Sequence, residues 1–257
     1  MDRSREPLPT RFEETPELPA AYHTALEAGL DALSLTLEPT ARAAIDGHAR
    51  LLLAWTTAIN LTAIRDPAAV AVGHVVDSLT ALAFLRERGA DRLIDLGSGG
   101  GYPGFPLAAA VPMERALLIE PIAKRAAFLS VVATATGLAD TVEAASVRAE
   151  ALAGDRRHRD RWPVVTARAV ASLAELVELA FPLLAPGGCL VAWKRGDLGP
   201  ELAIAERAMA ALGGGTLDVQ RFEVPGLEDH CLIVATTRAA APPEYPRDPA
   251  ARKRRPW

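Results

Sequence analysis

Asp95, Gly97, Gly99, Gly101 and Tyr102, followed by Glu120, are the residues of this chain whose types and spacing most directly imply chemistry. Leu93-Ile94-Asp95-Leu96 is a short buried-strand pattern that runs into Gly97-Ser98-Gly99-Gly100-Gly101-Tyr102-Pro103-Gly104 and then into a helical run over 105–110. Glycines permit positive φ and let a ligand approach without a Cβ in the way. A helix that starts behind them aims its first N–H groups back into the loop. Strand, glycine loop and helix start together predict a cradle for a nucleotide-like cofactor.

Two registers fit the loop. Gly99, Gly101 and Gly104 satisfy Gly-x-Gly-x-x-Gly, the spacing of a dinucleotide site, which also wants an acid roughly 20 residues further on for a ribose. Read from its first glycine the loop is Asp95-x-Gly97-x-Gly99-x-Gly101, with an acid ahead of it. That register resembles the loop of S-adenosylmethionine-dependent methyltransferases, whose ligand carries a sulfonium and an ammonium and no phosphate. In either register Glu120, at the end of the next strand, has the chemistry to accept both ribose hydroxyls.

The elements that must hold these residues alternate. Apolar residues recur at helical spacing over 18–37, 39–59 and 70–88, ahead of the loop. Beyond it, strands are expected over 116–120, 141–145, 163–168 and 189–194, with helices over 122–136, 172–184 and 201–212. A Pro-Gly-Gly turn precedes the strand at 189–194. Strands at 217–224 and 230–235 close the series with no helix between them. Repeated strand–helix units imply a parallel sheet covered on both faces. A last pair without a crossover helix must be antiparallel.

Several stretches occur in one order: Asn60-Leu61-Thr62 with Arg65, His74-Val75-Val76-Asp77-Ser78-Leu79, the loop 95–106, Lys124-Arg125-Ala126-Ala127-Phe128-Leu129, and Arg168-Ala169-Val170-Ala171-Ser172-Leu173. Together they resemble the RsmG (GidB) family of bacterial ribosomal RNA methyltransferases, over roughly residues 40–257. The resemblance implies an α/β fold of the Rossmann-like class I methyltransferase type. It has a seven-stranded, mostly parallel sheet with an antiparallel terminal strand, and an N-terminal helical extension. It implies S-adenosylmethionine as cofactor and N7 of a guanine in 16S ribosomal RNA, free or in the small ribosomal subunit, as methyl acceptor. Asp95, Gly97, Gly99, Gly101, Tyr102, Glu120, Ala149, Glu150 and Arg168 are then expected at the cofactor, Ala149 and Glu150 beside its adenine. Glu120 stands where many members have Asp. No residue is assigned outright as catalytic; Arg168 and His74 are the candidates. Each has a plainer reading: an ion pair for Arg168, and an intrahelical pair with Asp77 for His74.

Guanine N7 already carries an in-plane lone pair, so its methylation needs alignment and desolvation rather than a base. An amino-methylating enzyme would show Asn/Asp-Pro-Pro-aromatic where this chain has Arg168-Ala169-Val170-Ala171. A methyltransferase of another RNA or of a small molecule, and a nicotinamide-dependent oxidoreductase, remain as alternatives.

Composition bounds the rest. At 257 residues the chain can bury one sizeable core, and half of its residues are hydrophobic. No uninterrupted apolar run approaches the roughly 18 to 20 residues of a membrane helix, and no signal core follows the N-terminus. A cytoplasmic protein without membrane contact is expected, with no Cys/His spacing for a metal, and a monomer. Its only cysteines, Cys189 and Cys231, sit in apolar strand patterns that suit buried thiols. Net charge is −4, yet Arg156-Arg157-His158-Arg159 and Arg252-Lys253-Arg254-Arg255 are local basic clusters, read alone as a solvated loop and tail. The expected organisation is a poorly ordered leader over 1–17, a helical extension over 18–89, a methyltransferase domain over 90–238 and a basic, Pro-rich tail over 239–257.

Overall fold

A computed structural model describes residues 7–257; the first six residues of the expected leader lie outside the described residues. Seven strands form one sheet in the order β3-β2-β1-β4-β5-β7-β6. They are β1 Arg92–Leu96, β2 Arg115–Ile119, β3 Val142–Ala145, β4 Trp162–Arg168, β5 Leu184–Arg195, β6 Gly215–Arg221 and β7 His230–Thr237. The first five run parallel, and β7 lies antiparallel between β5 and β6.

Strand alternation divides the interior into two cores. Leu93, Val164, Cys189, Val191 and Val234 point to one face, whereas Ile94, Val165, Leu190, Ala192 and Ile233 point to the other. Both faces are apolar because both are covered, which is why the central strands read as continuous hydrophobic runs. The first face packs against α1 Ala20–Ala32, α2 Pro39–Trp55, a helix over Pro67–Glu87 and the helices Gly104–Ala110 and Ala123–Ala135. The second carries the helices Ala149–Ala153, Leu173–Ala180 and Gly199–Ala211. Cys189 and Cys231 are buried and unpaired.

Several boundaries differ from the sequence expectation. The helix expected to 184 ends at Ala180, and β5 begins at Leu184 rather than 189. Trp162 pairs with Leu184 and Val164 with Cys189, so the Pro-Gly-Gly turn is an irregularity inside one long strand. The helix expected at 70–88 starts at Asp66, whose side chain accepts from the N–H of Ala69 at 2.8 Å. Over Ala71–Val76 it widens to π geometry, an insertion that often accompanies a functional site. Pro67–Glu87 is, among the described residues, long and apolar enough by composition to cross a membrane; 56% of its apolar stretch is buried inside the protein. His74 and Asp77 interrupt it, so it contains no unbroken apolar run of that length.

Both termini, as far as they are described, make specific tertiary bonds. In the leader, Pro9 O accepts from Trp55 Nε1 at 2.7 Å, and Thr15 O accepts from Arg50 Nη2 at 2.6 Å. Pro9 and Thr15 thus tie the described part of the leader to α2, where two long side chains need acceptors. The tail is fastened more firmly. The Glu178 side chain has no solvent exposure, and it accepts from Arg247 N and Nε at 2.8 and 2.9 Å and from Trp257 Nε1 at 2.6 Å. Burial alone would push that carboxyl up, but the Arg247 bonds outweigh it and hold the group below its ordinary value. Arg252 bridges Glu150 and Glu175. In the other basic cluster, Arg159 donates to the carbonyls of Ala241, Pro242 and Tyr245. Arg247→Ala is therefore expected to cost about 3–5 kcal/mol, because it strands a buried carboxylate. Urea denaturation checks this; a midpoint equal to wild type would show that the tail is not docked.

Candidate functional site

Strand order reverses between β1 and β4, and open α/β sheets bind ligands beyond the carboxyl ends of strands at such a point. A cavity of about 820 Å³ opens there. Gly97, Gly99, Tyr102, His74 and Arg168 line it. The glycine loop adopts φ of 66° at Gly97, 54° at Gly99 and 95° at Gly101. A Cβ on Gly97 would lie 2.8 Å from Val170 Cγ2, and one on Gly101 would lie 2.8 Å from His48 Nε2. Both positions favour glycine by conformation, and at Gly101 the buried His48 leaves no space for a side chain either.

His48 comes from α2 and is wholly buried under the loop. Its Nε2 lies 2.6 Å from Gly100 O. A carbonyl only accepts, so the proton sits on Nε2. Burial depresses this imidazole to about 3, so it is neutral. Tyr102 is sandwiched between His48 and His74, with ring centroids 4.4 and 4.8 Å away. Two helices thus clamp a loop residue in one stack.

Asp95 and Glu120 stand behind the loop rather than on the cavity wall. Asp95 is fully buried, accepting from Thr166 Oγ1 at 2.7 Å through Oδ1, while Oδ2 has no partner. Burial raises its carboxyl to about 6, against the lowering effects of Ser98, Thr166 and the Gly104 N–H. Glu120 accepts from the N–H groups of Gly99 at 3.1 Å and Ile122 at 2.9 Å. This pins the acid to the loop it was expected to serve. Ala149 and Glu150 also lie off the cavity, and Glu150 is engaged by Arg252. The Cβ-free loop and the unpartnered, buried Asp95 Oδ2 beneath it fit a cofactor that brings positive charge, while Glu120 is spent on the loop's own N–H groups.

The Asp95 geometry has a measurable consequence. A carboxyl whose folded value lies above its unfolded one favours the folded state in acid, and that contribution is lost as pH rises from about 4 through about 6. Asp95→Asn keeps the acceptor for Thr166 and removes the buried charge. It is expected to stabilise the ligand-free protein at pH 7 by about 1–3 kcal/mol, to flatten the pH dependence in that window, and to weaken cofactor binding. Denaturation across pH 4–7 checks the first two, and calorimetry the third.

Arg168 turns out to be the centre of a buried network. Nη1 donates to Asp77 Oδ2 at 2.7 Å and to Gly73 O at 3.0 Å, and Nη2 lies 3.1 Å from His74 Nδ1. Guanidinium only donates, so His74 Nδ1 must accept, and Nε2–H points to Thr62 Oγ1 at 2.7 Å. The 3.1 Å approach of Nδ1 to Gly73 O is then a contact between two acceptors, relieved by Arg168 between them. Burial and the Arg168 charge depress His74 to about 4, so with both nitrogens engaged it has no free base to offer. The intrahelical pair between His74 and Asp77 does not form; Arg168 takes both.

Sequence reasoning missed the far wall. Lys194 and Arg195 end β5, and His230 opens β7 opposite Arg195 in the antiparallel register. All three line the cavity. The signal was available: in an antiparallel strand the first residue, not the last, reaches the edge where its parallel neighbours end. Lys194 Nζ is held by Glu201 Oε1 at 2.7 Å, which also accepts the N–H of Leu173.

The family of the rRNA small subunit methyltransferase G matches residues 42–230. Ribosomal RNA small subunit methyltransferase G of Roseiflexus sp. (strain RS-1) is 41% identical over 205 residues, 80% of this chain and 87% of the relative. That of Dehalococcoides mccartyi (strain CBDB1) is 37% identical over 220 residues, 85% and 93% of the two chains. An O-methyltransferase from Bacillus cereus, solved in complex with SAH, superposes with a TM-score of 0.54 at 17% identity, covering 75% of this chain and 91% of that one. That likeness shows the fold to be of the Rossmann-like methyltransferase type. With a glycine-loop site at the switch point of that fold, and relatives matched over most of their length, this chain belongs to the rRNA small subunit methyltransferase G family, the S-adenosylmethionine-dependent methyltransferases of ribosomal RNA.

Proposed function

We propose that this chain transfers the methyl group of S-adenosylmethionine to N7 of a guanine in 16S ribosomal RNA within the cavity at the glycine loop. The observation that carries the reading is that cavity: a Cβ-free loop backed by two acids on one side and cationic strand ends on the other. When bound, the cofactor supplies a methyl group on a sulfonium. Asp95 and Glu120 act from behind the loop, Asp95 placing negative charge beneath the ammonium and Glu120 holding the Gly99 and Ile122 N–H groups beside the ribose. Gly97 and Gly99 leave room for it, Gly101 makes room for His48 beneath the loop, and Tyr102 walls the site; Ala149 and Glu150, off the cavity, are expected beside the adenine from the family resemblance alone. Arg168 fixes His74 and Asp77 in the wall opposite.

These residues align and desolvate; none takes a proton from N7, which has none to lose. Positioning of this kind is worth about 7–11 kcal/mol. An Arg gripping O6 and N7 together would cover the reacting lone pair, so the base must be recognised elsewhere on its edge. The target guanine is splayed from the RNA rather than read in the deep A-form groove. In this reading the enzyme works in the cytoplasm as a monomer, without a metal ion. The test compares N7-methylguanine in ribosomal RNA from cells with and without this gene. A site that vanishes on deletion supports the reading, and an unchanged map overturns it.

A further inference from the structure

We propose that His230 recognises the Watson–Crick edge of the target guanine, its Nε2 accepting the N1–H. The inference rests on the guanine-N7 reading above. His230 Nδ1 lies 2.9 Å from Asp77 Oδ1, and the Asp77 side chain is 2% exposed. A carboxylate only accepts, so Nδ1 carries the proton, and in that tautomer the second lone pair of the ring lies on Nε2. Nε2 makes no hydrogen bond among the described residues, and the side chain is 26% exposed in the cavity wall. Asp77 cannot turn away, because its Oδ2 holds Arg168 and its backbone carbonyl accepts from Trp193 Nε1 at 2.6 Å. The fold therefore sets the tautomer and aims an acceptor at the ligand.

The carboxylates on the same wall are already occupied: Asp77 by Arg168 and His230, and Glu201 Oε1 by Lys194 and the Leu173 N–H. His230 Nε2 is an acceptor on this wall that no neighbouring donor occupies among the described residues. In guanine, N1–H lies across the purine from N7, so a contact there leaves the reacting lone pair open. Adenine presents an acceptor at N1, which would face the Nε2 lone pair, so the same contact rejects it. As N7 gains its methyl group the purine becomes positively charged and N1–H a stronger donor. The contact is then tighter in the transition state than in the ground state. From β1 at the loop to β7 there are three strand spacings, roughly 14 Å, enough for a purine between.

The test measures methyl transfer by wild type, His230→Ala and His230→Gln to small ribosomal subunits lacking the modification, with S-adenosylmethionine binding measured by calorimetry. Expected is a fall in kcat/KM of about 10- to 100-fold for His230→Ala with cofactor affinity unchanged. His230→Gln, whose Oε1 restores an acceptor near Nε2, should recover most of it. Wild-type kcat/KM in His230→Ala overturns the proposal, as does a His230→Gln variant that binds cofactor normally yet transfers no better than His230→Ala. Should His230→Ala fail to fold, His230→Gln near wild-type activity supports the proposal, and His230→Gln that binds cofactor but is inactive overturns it. If the wild type leaves guanine N7 unmethylated, the function reading has failed, and this inference with it.

Discussion

Gly97→Asp is expected to weaken S-adenosylmethionine binding by about 100-fold or more, near 3 kcal/mol, while the chain stays folded. At φ 66° the new side chain enters a left-handed conformation that costs an L residue roughly 1–2 kcal/mol, least for Asp and Asn. Its Cβ meets only Val170, which is 40% exposed and free to move. The fold therefore absorbs the change. The cavity does not, because the carboxylate fills the approach the glycine kept open and adds a third acid beside Asp95 and Glu120. Calorimetric titration with cofactor, alongside a thermal melt, separates the two effects. Normal cofactor affinity in a folded Gly97→Asp protein would remove the loop from the binding site.

Arg168→Ala is expected to cost about 3–5 kcal/mol in stability and to abolish methyl transfer, because it leaves the buried Asp77 carboxylate without its guanidinium partner. His74 Nδ1 and Gly73 O lose their donor in the same stroke. Lysine is no substitute, since a single ammonium cannot span acceptors contributed by Gly73, His74 and Asp77. A double-mutant cycle checks the assignment: Asp77→Ala should cost far less in the Arg168→Ala background than alone. Additive losses would show that the two side chains act independently.

The sheet was legible in the sequence because buried strands must alternate between two apolar cores, and Leu93-Ile94, Val164-Val165 and Leu190-Val191 carry that requirement in their composition. The antiparallel ending was legible too, since 217–235 leaves no length for a crossover helix. Boundaries failed where tertiary bonds overrode local preference. The Pro-Gly-Gly turn reads as a strand start, but pairing of Trp162 with Leu184 draws the strand back across it. The tail reads as solvated because its charges look unpaired in one dimension; Glu178, Glu175 and Glu150, which neutralise Arg247 and Arg252, lie about 70 to 100 residues away.

By itself, then, the sequence determined the cradle: a strand, three glycines at positive φ, an acid before and an acid after, all within one local strand–loop–helix–strand segment. Only the tertiary structure decided what faces that cradle. Arg168, Asp77, His74 and His230 come from β4, the Pro67–Glu87 helix and β7, and their hydrogen bonds join residues up to 153 apart. Such partners have no spacing to read. They meet because an antiparallel last strand brings its first residue to the edge where the parallel strands end, and a buried carboxylate there needs every donor within reach.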